Sequence, residues 1–361
     1  MTYDKLSRVE SETWKIDGES YALGMAYDGL GRLDTVSYPE IPGFARFKTQ
    51  HGYAANGESL SLKDVPSATG TARQFWKADD RDPVGRIKQE ELGNGIQTTY
   101  GIDQVRGILT GITTTLGAAT LQSLGYDYDD NLNVKTRSDS IAGVSEEFTY
   151  DALDRLHTWQ EVGSYGWGVT YSHDDIGNLT GRSLLGSQGE TESLTFEHSG
   201  VNAGPHGVTR SAWGTYGYDG KGNQTSSPEG TITYTAFNLP RSIVGAGTTT
   251  FKYDASGARV SKQSTVNAGT TIYAGGAYER RTVGTEKTHV FYLNVAGRRI
   301  GQVLRKESDH SDTVLYIHSD ALGSSEVVTD ASAQLVGQRR KYDPFGAPTD
   351  IMLPKAFPGG A

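Results

Sequence analysis

A short turn signature recurs along this 361-residue chain and restricts its fold more than any other feature. The unit is an aromatic residue, Asp, two variable residues, Gly, often Arg or Asn, and then an apolar residue. Tyr27-Asp28-Gly29-Leu30-Gly31-Arg32-Leu33 and Tyr253-Asp254-Ala255-Ser256-Gly257-Ala258-Arg259-Val260 are clear copies, as is Tyr218-Asp219-Gly220-Lys221-Gly222-Asn223. His173-Asp174-Asp175-Ile176-Gly177-Asn178-Leu179 carries His in the aromatic slot. Further Asp/Asn-x-x-Gly turns run from Asp82 to Gly85, Asn294 to Gly297, Asp320 to Gly323 and Asp343 to Gly346. Degenerate copies begin at Asp4, Asp129 and Asp151, with Ser7, Leu132 and Asp154 where Gly is expected, and Asp103 to Gly107 is one residue longer. Counted from Asp to Asp, 4→28 is 24, 82→103 is 21, 103→129 is 26, 129→151 is 22, 151→174 is 23 and 320→343 is 23. One such motif carries little information, but about a dozen at a near-constant period identify a tandem repeat.

Turn chemistry accounts for the residue types. A type I turn favours Asp or Asn at its first position and Gly at its fourth. The Asp carboxylate accepts backbone N–H groups further along the turn, and Gly takes positive φ without a Cβ clash. Pro83 and Pro344 stand at the second position, where a φ near −65° is wanted. Leu tolerates positive φ poorly, so the turn at Asp129 is expected to take another shape. Between turns, Thr231-Ile232-Thr233-Tyr234-Thr235-Ala236-Phe237 and Thr249-Thr250-Phe251-Lys252-Tyr253 alternate polar and apolar residues, which marks half-buried strands. Each repeat has room for two strands and two turns. A lone hairpin cannot bury its own face, so consecutive hairpins must line up side by side and share their cross-strand contacts.

The expected fold is therefore all-β: stacked antiparallel hairpins forming a curved or spiralling sheet over residues 1–347. Two stretches break the rhythm, an insertion at about 39–74 and a poorly phased unit at about 183–212. The tail 348–361, with Pro348, Pro354, Pro358 and Gly359-Gly360, is expected to be poorly ordered. Composition agrees. Glycine supplies 46 of 361 residues, or 12.7%, where about 7% is usual. A hydrophobic content of 35% would suit disorder, but 10% aromatic residues would not.

Several functions are excluded at this level. A formal charge of −9 disfavours a nucleic-acid partner, which calls for a Lys/Arg-rich face. With no cysteine there is no disulfide, thiolate metal site or cysteine nucleophile. No run of 18 apolar residues suggests a membrane span, and Met1–Glu10 has no signal-peptide core. The eight histidines form neither H-x-x-x-H nor H-E-x-x-H, so neither a metal nor a cofactor is expected.

Remaining chemistry is weaker than its structural counterpart. His318 and Asp320 could form an acid–base pair, but a turn cap with His in the aromatic slot is the favoured reading. Asp343 as a protease carboxylate would need a second carboxylate sharing its proton. Asp129-Asp130 and Asp174-Asp175 read as turn residues, because no further calcium ligands follow at loop spacing. Trp14, Trp76, Trp159, Trp167 and Trp213 could be sugar platforms, with cross-strand packing favoured. No catalytic residue is assigned, and the residues singled out are the structural turn positions.

The repeats YDGLGRL, YDALDRL and YDASGARV resemble the Rhs/YD-repeat family of polymorphic toxin shells, the C component of insecticidal toxin complexes and the teneurin barrel. Tyr316-Ile317-His318-Ser319-Asp320-Ala321-Leu322-Gly323-Ser324, then Val328-Thr329-Asp330 and Tyr342-Asp343-Pro344-Phe345-Gly346, is similar to the start of the Rhs-associated core, at about 316–346. Leu92-Gly93-Asn94-Gly95-Ile96, preceding Tyr100, is a further familiar element. The resemblance implies a hollow shell, with the rest of that shell and a C-terminal effector cargo as partners. It also implies a secreted or cell-surface location within a larger bacterial protein. The family's autoproteolytic end is expected beyond the 15 residues that follow Gly346, so no catalysis is expected here. Teneurin-like members imply an alternative, an extracellular adhesin or glycan-binding surface. Open strand edges are expected to invite self-association.

Overall fold

The computed structural model describes residues 1–66, 71–163, 166–186, 189 and 191–349. Strand follows strand throughout, and no α-helix occurs among these residues, so none is long and apolar enough to cross a membrane. Within each sheet strands pair antiparallel with their neighbours in sequence, giving open sheets of 19 and 12 strands. Lys341–Tyr342 and Pro348–Thr349 form a separate two-stranded ladder. The all-β stack of antiparallel hairpins read from the sequence is thus the observed architecture.

The two ends of the hairpins differ. At one end the strands are joined through the Asp-containing turns, and the register slips by one residue at the aromatic position. Tyr27 faces Leu33 after such a slip, and the same irregularity precedes Tyr53, Tyr128, Tyr150, His173 and Tyr234. An extra residue held at positive φ produces this bulge. At the other end many connections are shorter: Ile16 pairs with Glu19 across Asp17-Gly18, with φ of 52° and 84°. Positive φ at both central residues matches the twist of the flanking strands.

The expected interruptions are largely built into this pattern. Within 39–74, Lys48–Tyr53 and Ser59–Asp64 form a regular hairpin, while Ile41 and Phe47 are buried; residues 67–70 lie outside the described set. Within 183–212, Thr191–His198 pairs with Leu179–Leu185 on one side and Val208–Ser211 on the other. Of the tail expected over 348–361, Pro348–Thr349 are paired, and residues 350–361 lie outside the described set.

The wall expected over 1–347 is divided into two compact units. The first comprises Met1–Gly101, Thr113–Leu121 and Phe251–Arg339; the second comprises Ile102–Ile112, Gln122–Thr250 and Arg340–Ala361. In the first, hairpins from its two long segments pack face to face around one continuous core. Phe291 is fully buried there, with ring centroids 4.7 Å from Phe47, 5.4 Å from Tyr38 and 5.8 Å from Tyr278. Tyr38 is also buried, and its hydroxyl donates to the Tyr292 carbonyl at 2.7 Å. The second unit has a smaller core of Phe148, Trp159, Trp167, Val169 and Tyr171, and nothing between 212 and 250 is buried.

Candidate functional site

The recurring turn is the element to test first, and Asp28 shows how it works. Its Oδ1 accepts from the amides of Leu30 and Arg32, both at 2.9 Å, and its Oδ2 accepts from Arg32 Nε at 2.7 Å. The Gly31 amide closes the turn on the Asp28 carbonyl at 3.0 Å, with φ of +82° at Gly31. The same closure joins Asp82 to Gly85, Asp174 to Gly177, Asp219 to Gly222, Asp254 to Gly257, Asp320 to Gly323 and Asp343 to Gly346. Hydrogen bonds from the Arg32 amide, with the guanidinium and Leu30 amide adding to them, hold the Asp28 carboxyl below its ordinary range. At Asp151 burial opposes the shift, but amide and Arg155 bonds outweigh it and bring the carboxyl down to about 2.

The turns are also joined to one another. Tyr27 donates its hydroxyl to the carbonyl of Val9, just past the preceding turn, and Tyr53 does the same to Leu33. Tyr150 to Val134 and Tyr234 to Gln224 repeat the link, and His198 makes it to Leu179 through Nε2. In the first unit the turn arginine completes it: Arg8 lies 4.3 Å from the Tyr27 ring centre and Arg32 lies 4.4 Å from that of Tyr53. The aromatic–Asp–Arg pattern is therefore one device, in which Asp orders the turn, Arg neutralises Asp and covers the next aromatic, and that aromatic ties two hairpins together.

Two expectations fail here. Leu132 does not force another shape: φ is +67°, its amide bonds the Asp129 carbonyl at 3.1 Å, and Asp129 Oδ1 accepts from Asn131 and Asn133. Five ordered hydrogen-bonding groups outweigh the Cβ penalty. Asn294 is not a turn opener. It pairs with Arg299 inside a strand, and the connection is the two-residue turn Ala296-Gly297, with φ of 48° and 75°. Such a turn needs positive φ at both central residues and no side-chain cap.

Other turns escape the sequence pattern because the opening Asp, or the closing Gly and the preceding aromatic, are replaced. Thr235 Oγ1 accepts from the amides of Phe237 and Leu239, with Asn238 at φ of 61°. Ala54 to Gly57 closes through the backbone, with Asn56 Oδ1 accepting from the Glu58 amide at 3.2 Å, and Asp330 to Ala333 uses Ala at φ of 60°. The tyrosines before positions 54 and 235 were the available signal.

Buried charge marks a second feature. In the first unit Glu90 accepts from Trp76 Nε1 at 2.6 Å, Tyr100 OH at 2.6 Å and Arg298 Nη2 at 2.5 Å. Burial raises its pKa, but Arg298, Tyr100 and Trp76 outweigh that and lower it overall. In the second unit fully buried Glu146 holds Trp159 Nε1 at 2.8 Å, Arg137 Nε at 2.7 Å and Lys341 Nζ at 2.9 Å, again with burial outweighed.

Beside Glu90 the two most specific sequence elements meet. Asn94 donates to Thr329 Oγ1 at 3.0 Å and to the Asp330 carbonyl at 2.9 Å. Gly93 pairs with the Phe75 carbonyl, and a Cβ there would run into the Gln74 carbonyl and the Tyr316 hydroxyl, so only glycine fits. His318 is buried with Nε2 sharing a hydrogen bond with Thr329 Oγ1 at 2.9 Å. Burial lowers its pKa to about 4, against a small opposing pull from Glu90. His318 is thus a neutral packing residue, while Asp320 bonds its own turn amides at Leu322 and Ser324.

Among the described residues the candidate carboxylates and the buried indoles are held in structural contacts. Asp343 spends its carboxylate on the amides of Phe345 and Ala347. Among the described residues no three His, Asp or Glu side chains are grouped to hold a metal. Trp76, Trp159 and Trp167 are buried in the cores, which leaves them unable to stack on a sugar.

No family model matches the chain. It is homologous to the toxin subunit YenC1 of Yersinia entomophaga, at 25% identity over 384 aligned residues. That alignment takes in 88% of this chain and 38% of the curated protein, so the chain spans well under half of its relative. The crystal structure of TcdB2–TccC3–Cdc42 superposes with a TM-score of 0.82 over 96% of this chain at 18% identity. The Photorhabdus luminescens Tc holotoxin pore gives 0.78 over 94% at 19% identity. This chain covers about a fifth of each matched chain (20% and 19%), and at such identities the likeness establishes the fold.

Proposed function

We propose that this chain is a non-catalytic section of the wall of an Rhs/YD-repeat shell, whose partners are the remaining shell and an enclosed C-terminal toxin effector. The observation that carries the reading is the fold likeness to TcdB2–TccC3 along 96% of the chain, alongside homology to a toxin subunit. The passive role fits the geometry, because the recurrent carboxylates are consumed by their own turns and the buried ones by indoles and bases. Seating of residues 92–96 against 316–330, beside Glu90 and Arg298, fits a seam that holds two distant hairpin stretches together. On this reading residues 316–346 open the Rhs-associated core, and the protein acts outside the cell that makes it.

The test uses the complete gene product that contains this chain. Electron microscopy and limited proteolysis should reveal a closed β-shell with a protease-protected segment inside. An open structure in which every segment is cut at similar rates would sink the proposal. Intact mass should stay constant on storage; progressive shortening, abolished by Asp343→Asn, would instead restore a catalytic role.

A further inference from the structure

The turn arginines have a gap in their series. Where Arg follows the opening Asp by four residues, its side chain joins several groups. Arg32 Nε donates to Asp28 Oδ2 at 2.7 Å, its guanidinium carbon lies 4.4 Å from the Tyr53 ring centre, and Tyr53 ties back to the residue after Arg32. Arg8 repeats this with Asp4 and Tyr27, at 2.7 Å and 4.3 Å. In the second unit Arg155 bonds Asp151 Oδ2 at 2.7 Å and reaches on to the next turn, donating to the carbonyl of its opening residue, Asp174, at 2.7 Å. A guanidinium suits this place because it stacks flat on a ring and presents several donors at once.

Asn stands at the same position after Asp129, Asp174 and Asp219. In two of these turns neighbouring groups close on it. Asp154 Oδ1 accepts from Asn133 at 2.9 Å, and Asn178 is held by the Pro205 carbonyl at 2.9 Å and by His206 at 2.8 Å. Asn223 donates to Asp219 Oδ2 at 2.9 Å and to Asn238 Oδ1 at 3.1 Å. Beyond it lies a groove of about 680 Å³, lined by Asp219, Asn223, Tyr234, Thr235, Asn238 and the exposed Lys221. The kinds of acceptor that hold arginine in sister turns recur here. They are the Asp219 carboxylate, the Tyr234 ring, whose hydroxyl ties back to the residue after Asn223, and the carbonyl of Thr235, where the next turn opens. Hydrogen bonds from the Asn223 side chain and amide lower the Asp219 pKa and keep its carboxylate charged, while the Lys221 ammonium acts on it only at a distance.

We propose that this groove is a binding site for a guanidinium group, presented by an arginine side chain of a polypeptide partner. The Asp219 carboxylate meets the charge, the Tyr234 face takes the flat of the group, and the Thr235 carbonyl and Asn238 Oδ1 take the remaining N–H donors. Lysine fits less well, because an ammonium is a compact, strongly hydrated charge without the planar fork. The site uses residues of the second unit alone and requires neither an enclosed cargo nor a closed shell.

NMR titration of the isotope-labelled intact chain with N-acetyl-L-arginine amide tests it. The Gly222 and Asn238 amides and the Tyr234 ring should shift and saturate, and N-acetyl-L-lysine amide at equal concentration should shift them less. The Gly31 amide should stay still, because Arg32 already occupies the matching place in that turn. Asn223→Arg puts the chain's own guanidinium into the groove and should abolish the response, whereas Tyr234→Phe keeps the ring and should retain it. A wild type that does not respond, equal shifts with the two ligands, or a response that persists in Asn223→Arg would overturn the proposal. Should Asn223→Arg not fold, the wild type decides alone: a response at Gly31 as large as that at Gly222 overturns it.

Discussion

The two units use the same repeat but not the same source of stability. In the first, hairpins from Met1–Gly101 and Phe251–Arg339 bury Phe291, Trp76, Tyr278 and their neighbours in one continuous core. In the second the core is small, and no residue between 212 and 250 is fully buried. There the strip is held by local devices, such as Asp219 ordering its own turn and Tyr234 tied to the Gln224 carbonyl. The contrast shows what the recurring turn is for. It fixes hairpin geometry and neighbour pairing where no second layer exists to do so, while a core is added only where distant hairpins meet.

The sharpest way to break this contrast is to remove one residue of each kind. Phe291→Ala deletes a fully buried ring from the first unit and should cost about 4 kcal/mol, as large-to-small changes in packed cores do. Tyr234→Phe removes one hydroxyl bond in the second unit and should cost about 1 kcal/mol. Urea denaturation, with hydrogen exchange to assign each loss to its unit, measures both. Equal losses would mean that the first unit does not rest on its core. In the unaltered protein, amides between 217 and 250 should exchange faster than those of Glu286–Val295, since local opening follows burial.

How far the sequence reveals each feature depends on how local its cause is. The turns at Asp28, Asp174 and Asp254 are legible because donor, acceptor and the glycine at positive φ all lie within five residues. The turn at Thr235 is hidden because a hydroxyl replaces the carboxylate, and Asn294 misleads because a two-residue turn happens to carry Gly in the expected place. Asp154 stands at a glycine position, at φ of 57°, for a reason outside its own turn: its Oδ1 accepts from Asn131 and Asn133 of the neighbouring one. Pairings such as Glu90 with Arg298 or Tyr38 with Tyr292 span more than 200 residues and leave no periodic trace. The division into a thick and a thin unit is accordingly invisible before the structure.

A second, slightly smaller effect should separate the units by pH. His318 lies in the first unit with a pKa of about 4, below its ordinary 6.5 because burial disfavours the charged ring. Between those values the unfolded chain binds the proton and the folded chain does not, so stability falls as pH drops from 6.5 towards 4. The full fall is about 3 kcal/mol, from roughly 2.5 pH units at about 1.4 kcal/mol each. Glu90 and Glu146, both held below 4.5, add their own losses only at lower pH, as falling pH passes through their depressed values. Urea midpoints of the wild type at pH 7 and pH 5 should therefore differ through the first unit, and His318→Leu should reduce that dependence, leaving the part due to His51 and His289, which burial also holds below the ordinary histidine value. An unchanged slope in His318→Leu would show that the ring is not the titrating group.

The remaining effects concern the turn itself and should be alike in both units, which makes them the control for the comparison. Gly31→Val and Gly257→Val in the first unit, and Gly222→Val in the second, each place a β-branched side chain at φ of +82° or +83°. Each should cost more than about 1 kcal/mol. Leu132→Gly runs the same argument backwards. Leu at +67° carries a left-handed penalty of about 1–2 kcal/mol, and a half-exposed side chain returns little burial energy for it. Glycine removes the penalty but adds about 0.5–1 kcal/mol of unfolded-state freedom, so the net change should be a gain of about 0.5 kcal/mol. A loss on thermal melting would mean that Leu132 makes a contact worth more than its strain, and the turn could no longer be treated as a self-sufficient module.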